Sequence, residues 1–182
     1  MDKLPIHEDD FCSGRICQRR YDLTLAFIRK HLPLGSVIFD LGTVNGLGIF
    51  LSNHGYRIFN THGEDFDLEP PYQFIDADVT TAFEILEHLM DPFNLLRRIN
   101  TKKLFISVPL RIWFAGASRS NDNPAGWHFH EFEQWQLDWM LDKTGWKIID
   151  REIHTNPTYG LGIRSLLRFI TPRMYLIYAE RK

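Results

Sequence analysis

The chain has 182 residues, 44% of them hydrophobic and 24% charged, with a net charge of −2. That length buries roughly 70% of the unfolded surface around one core, so a single domain over 1–182 is expected. The near-neutral balance argues against a nucleic-acid partner, and no apolar run approaches the ~20 residues that cross a bilayer, so no membrane partner is expected.

The opening "MDKLPIHEDDF" is acidic rather than leader-like, and a cytoplasmic protein is the expectation. Cys12 and Cys17, with His7 upstream, form an incomplete zinc set and read as reduced structural thiols. Residues 16–32 place Tyr21, Leu25, Ile28 and Leu32 on one stripe of a helix that stops near Gly35. Residues 1–35 are therefore an N-terminal helical segment.

"SVIFD" (36–40) is a continuous apolar run that suits a parallel strand covered on both faces. The turn "GTVNG" follows, then a short helix at 47–55 closed by Gly55, and a second strand at 56–60. This is a β-α-β unit. Residues 61–74 are too polar and proline-interrupted for a long helix. A strand at 77–83 comes next. After it a helix at 91–99 has Asp91 at the N-cap, Pro92 at its first position and Leu95, Leu96 and Ile99 turned inward. "KLFISVP" (103–109) is another strand, and 36–109 forms the cofactor half of the domain.

Residues 110–132 lack a sustained period and are rich in aromatic residues, and a loop that long in a compact domain reads as functional. A helix at 133–144 turns Leu137, Met140, Leu141 and Thr144 to one face, with Gly145 as its stop. Strands at 146–154 and 173–181, with a short helix at 162–170 between them, complete the acceptor half, 110–182. Phe132, Trp135 and Trp139 fall at helical spacing and are expected in the core. Trp113, Phe114 and Trp127, outside any helix, are expected to line an acceptor pocket.

Alternating strands and helices imply an α/β fold, with ligands at the carboxyl ends of the strands. Gly42, Gly46 and Gly48 let the backbone after the first strand turn tightly and approach a ligand at a helix N-terminus.

The segments "FDLGTVNG", "VTTAFEILEHLMDPFNLLRRI", "LFISVP" and "GWHFHEFEQWQLDWMLDKTGW" resemble the class I S-adenosylmethionine-dependent methyltransferases, in particular the ubiquinone-biosynthesis O-methyltransferase branch. The likeness spans about residues 20–181. It implies a doubly wound, mostly parallel sheet of seven strands, the last antiparallel, with S-adenosylmethionine across the carboxyl ends of the first strands. It also implies cofactor roles for Asp40, Gly42, Gly46, Ala82, Phe83 and Glu84. Two residues depart from the pattern. Val44 stands where the family has a glycine, so the loop reads as degenerate, its β-branch resisting a positive φ and pointing toward the methionine moiety. His62 falls where many members carry the acidic residue that takes the ribose hydroxyls, with Glu64 or Asp65 as substitutes after a small loop shift. The region after the second strand is short, so a helix and a strand there are expected to be trimmed.

His128 and His130 are the candidate bases for the acceptor proton, imidazole being the side chain that titrates near neutrality. Glu84, Glu87 and His88, with His128, His130 and Glu131, also resemble the metal set of small-RNA 3′-terminal 2′-O-methyltransferases. Glu-His is common at this place without a metal, and the chain lacks a basic surface, so no metal is expected; Glu84, Glu87, His88 and His130 are the residues that would hold one. Three readings follow. The first is methyl transfer to a small-molecule hydroxyl or amine. The second is a non-catalytic scaffold of the same fold, working through a protein partner or as a homodimer. The third is a metal-assisted RNA 3′-end enzyme.

Overall fold

The computed structural model describes residues 14–69, 76–119, 126–157 and 162–182. Helix α1 (Arg15–His31) leads into strand β1 (Val37–Asp40), helix α2 (Gly46–Asn53) and strand β2 (Arg57–Asn60). After strand β3 (Val79–Phe83) a single 3-10 turn (Leu86–His88) precedes helix α3 (Pro92–Arg98). Strand β4 (Lys103–Pro109), helix α4 (Gln134–Lys143), strand β5 (Trp146–Thr155), helix α5 (Ile163–Ile170) and strand β6 (Pro172–Arg181) follow.

The six strands form one sheet in the order β2-β1-β3-β4-β6-β5. The first four are parallel, and β6 runs antiparallel to both β4 and β5. This is the doubly wound, mostly parallel architecture expected, with its last strand reversed. It has one strand fewer than the seven that the resemblance implied. The described residues between β2 and β3 carry turns but no helix or strand, so β2 is left as the sheet's edge.

Both faces are covered because side chains alternate along each strand. Ile38, Phe105, Leu176 and Tyr178 pack with Leu25 and Ile28 of α1 and Leu51 of α2. Their neighbours Phe39, Leu104, Ile106, Tyr175 and Ile177 point the other way, onto Leu95 and Leu96 of α3 and Leu137 and Leu141 of α4. Asp91 caps α3 as expected, accepting from the Asn94 amide at 3.1 Å. Trp146 closes this layer: its indole N–H donates to the Leu96 carbonyl at 3.0 Å, and the Arg181 guanidinium sits 4.0 Å over its ring.

Two side-chain expectations are corrected. Phe132 is buried, but Trp135 and Trp139 are 58% and 59% exposed. Each precedes an inward-facing residue, Leu137 or Leu141, by two positions, which on a helix is about 200° of rotation. Cys17 is buried and held in a disulfide rather than as a free thiol. Cys12 and His7 lie outside the described residues. No helix among the described residues is long and apolar enough to cross a membrane.

Candidate functional site

β1, β3 and β4 are parallel, so Asp40, Phe83 and Pro109 end at one edge of the sheet. At that edge Asp40 is a buried hub. Its carboxylate accepts from the Thr81 hydroxyl at 2.5 Å, from Asn45 at 3.2 Å and from Asn60 at 3.0 Å. Burial raises its pKa to about 6, against the pull of those three donors. The group thereby ties β1, β2, β3 and the following turn together.

The turn itself needs one glycine for its backbone. Gly42 has φ 120°, and its N–H donates to the Thr61 hydroxyl at 2.7 Å. A Cβ there would stand 3.3 Å from Ile85 Cδ1. Val44 does not take a positive φ, and its side chain is 46% exposed. Asn45 caps α2, its side chain accepting from the Gly48 amide at 2.9 Å.

Above this turn lies a cavity of about 380 Å3, lined by Gly42, Thr43, Asn45, Gly46 and Leu47, by Phe83, Glu84 and Ile85, and by Arg20 and Tyr21 of α1. A second cavity, of about 170 Å3, is lined by Arg20, Glu84, Pro109, His128, Asn156, Arg168, Arg173 and Met174. Arg20 and Glu84 belong to both. Their charged groups lie 3.5 Å apart. Glu84 has φ 54°, the one positive φ among the described non-glycine residues, and is clamped to Ser107: its amide donates to the Ser107 carbonyl, and its carboxylate accepts from the Ser107 hydroxyl. Backbone strain of this kind is kept where the surrounding structure enforces it, most often at functional sites.

Of the residues chosen from the sequence, Gly42, Gly46, Phe83 and Glu84 line the first cavity. Asp40 and Ala82 are buried beneath it. His62 is exposed in the loop after β2, its amide donating to the Glu64 carboxylate at 2.7 Å. Asn60, at the end of β2, is the residue that reaches the turn, donating to Asp40 and to the Gly42 carbonyl. His128 lines the second cavity and His130 does not. Trp113 is 73% exposed and meets Phe114 edge to face at 5.3 Å; neither they nor Trp127 line either cavity. Arg20, Tyr21, Thr43 and Asn45 were missed. Tyr21 was legible only as the end of an apolar stripe, and nothing in the spacing marks Arg20.

Behind the second cavity the 3-10 turn meets the segment before α4. The Phe129 and His130 amides donate to the Glu87 carbonyl, at 2.8 and 3.1 Å. His88 Nδ1 lies 3.0 Å from the Trp127 carbonyl. The Glu87 carboxylate is buried, and burial together with the nearby Glu84 charge pushes its pKa well up. Burial, with His88 alongside, holds the His128 pKa below the ordinary range, so its imidazole is neutral at pH 7.

No family model matches the chain, and no curated protein matches it in sequence. Solved structures match in fold. A methyltransferase from Haloferax volcanii, solved in complex with the Trm112 methyltransferase activator, superposes with TM-score 0.58 at 12% identity over 88% of each chain. Magnesium protoporphyrin IX methyltransferase from Synechocystis, solved with bound SAH, gives 0.58 at 13% identity over 94% of this chain and 90% of its own. The [4+2]-cyclase SpnF gives 0.52 at 15% identity over 88% and 81%. The chain therefore has the Rossmann-like fold of S-adenosylmethionine-dependent methyltransferases.

Proposed function

We propose that this protein transfers a methyl group from S-adenosylmethionine to a hydroxyl or amine of a small molecule. The observation that carries the reading is the pair of cavities meeting at Arg20 and Glu84, one over the Gly42–Leu47 turn and one beside His128. The residues fit such a cofactor in three respects. Gly42 lets backbone approach the ligand closely, the start of α2 offers amides, and the cavity joins polar turn atoms to the rings of Tyr21 and Phe83. Bound there, the cofactor supplies a methyl group activated by its sulfonium.

The chain's own part is positional. Asp40 and Asn60 hold the turn, Arg20 and Glu84 stand at the junction, and the second cavity would hold the acceptor next to the cofactor. His128 marks the place where the acceptor's proton is handled. Incubation with methyl-labelled S-adenosylmethionine and a panel of phenols, hydroxy acids and amines tests the reading. Label in at least one acceptor is expected, and none across the panel counts against it.

The scaffold reading keeps one observation in its favour. Phe93, Trp135, Trp139 and Met140 line an open apolar groove that shares no lining residue with either cavity, of the kind a protein partner covers, and the Haloferax neighbour is itself solved with a protein activator. A partner there is compatible with catalysis, so it stands as an addition to the enzyme reading. The RNA 3′-end reading is not adopted, since a net charge of −2 supplies no basic track.

A further inference from the structure

We propose that α5 docks on an anionic lipid surface, laying Ile163, Leu166, Phe169 and Ile170 into the bilayer interface. At about 100° per residue these four side chains fall within about 120° of the helix circumference. All four are between 49% and 79% exposed. Ser165, Leu167 and Arg168 lie on the opposite side and are half-buried, and Arg168 lines the second cavity. A surface helix ordinarily buries its apolar stripe and shows its polar one, and here the two are reversed. A contiguous apolar face left outside in this way marks an interaction site.

A second element adds to the same edge of the sheet. β6 is antiparallel to β4, with Met174 opposite Pro109, so α5, which precedes β6, stands where β1, β3 and β4 end. The chain leaving β4 stays there, the Leu110 amide donating to the Arg173 carbonyl at 2.7 Å. It carries Trp113, which is exposed and lies outside both cavities. Tryptophan is enriched at membrane–water interfaces, where its ring is apolar and its N–H stays wet.

Charge selects the occupant. The sequence has no acidic residue between Glu152 and Glu180, and α5 itself carries Arg164 and Arg168. The third arginine of that stretch, Arg173, faces Glu131 at 3.8 Å. In a chain that is −2 overall, this end is the one that an anionic surface attracts, while the remainder is repelled. A second copy fits less well. Two-fold pairing would set one arginine-bearing helix against another, and a helix of eight residues, about 12 Å long, falls short of the ~800 Å2 per partner that a stable interface buries. The lack of a spanning run is no obstacle, since a helix lying in the interface needs no stretch of ~20 apolar residues.

The test is flotation of the purified full chain with vesicles of phosphatidylglycerol and phosphatidylcholine in equal parts, and of phosphatidylcholine alone, with no cofactor present. Half-binding at sub-millimolar anionic lipid is expected, about tenfold tighter than on phosphatidylcholine, with the difference lost at ~0.5 M NaCl. Leu166→Ser combined with Ile170→Ser is expected to weaken binding to the anionic vesicles at least about tenfold. Both side chains are exposed, so circular dichroism should show an unchanged fold. Trp135→Ser combined with Trp139→Ser, which alters a similarly exposed apolar pair on α4, should leave binding intact. No flotation with anionic vesicles, flotation unchanged in the α5 variant, or an equal loss in the α4 variant overturns the proposal. A dimer in sedimentation equilibrium that the α5 substitutions dissociate overturns it too, by giving this face to a second copy.

Discussion

The Arg20 guanidinium lies 3.5 Å from the Glu84 carboxylate, and the two side chains form the shared wall between the cavity over the glycine turn and the cavity beside His128. Partly exposed pairs of this kind contribute roughly 0–1 kcal/mol to stability. Arg20→Ala is therefore expected to lower Tm by no more than about 3 °C. If the pair stands between cofactor and acceptor, the variant loses at least about fivefold in S-adenosylhomocysteine affinity. A drop in Tm with unchanged affinity would make the pair structural only.

The two turn glycines answer to different demands. Gly42 sits at φ 120° with Ile85 close by, and Gly46 opens α2 in ordinary backbone while lining the cavity. Gly42→Ala is expected to cost about 1–3 kcal/mol, read as a Tm lower by about 3–10 °C. Gly46→Val should leave the fold intact and abolish S-adenosylhomocysteine binding. Differential scanning calorimetry and equilibrium titration separate the two effects, and retained affinity in Gly46→Val would remove the turn from the site.

Asp40 predicts a pH dependence of stability. Its pKa is raised from 3.8 to about 6 in the fold, so the folded state holds the proton more tightly than the unfolded one. The contribution is fully present below about pH 4 and is lost as pH rises through 6, a difference of roughly 3 kcal/mol. Asp40→Asn keeps an oxygen for Asn45 and Asn60 and carries no charge. Its stability relative to the parent should rise by about 2–3 kcal/mol between pH 4 and pH 7, as measured by urea unfolding at both values. A difference that does not change with pH would show that Asp40 titrates as an exposed carboxylate.

The architecture was legible because its central strands carry strong local signals: "SVIFD", a near-continuous apolar run, and "KLFISVP", an alternating and β-branched one, lie in the sheet as β1 and β4. Asp91-Pro92 marked the start of α3 by local chemistry alone. The site was legible only where backbone geometry demanded glycine or where the resemblance supplied a position. Arg20 reaches the junction from a helix far away in sequence, and no period or spacing records that. His62 was counted along the chain, whereas Asn60 reaches the turn because it is paired in register with Asp40 on the neighbouring strand. Val44 was read as an obstacle from its side chain, but the turn takes its positive φ at Gly42 instead. Trp135 and Trp139 were misplaced because helical spacing defines a stripe without saying which stripe faces inward.

Trp146 offers a test of the packing that supports the α3–β5 side of the domain. Trp146→Phe removes the indole donor to the Leu96 carbonyl and part of the ring under Arg181. That carbonyl keeps a second donor, Arg181 Nη2 at 3.2 Å, so the hydrogen-bond loss is at the low end. A destabilisation of roughly 1–2 kcal/mol is expected in urea unfolding, with S-adenosylhomocysteine affinity unchanged. A larger loss, or one that carries ligand affinity with it, would couple this layer to the site.

The methyl-transfer account rests on the cavity over the glycine turn accepting the cofactor, and isothermal titration of the purified protein with S-adenosylhomocysteine tests it most directly. The account predicts one site per chain with a micromolar Kd, lost in Gly46→Val. No binding at millimolar ligand, by protein shown to be folded by circular dichroism, would contradict it and leave a domain of this fold that serves as a scaffold.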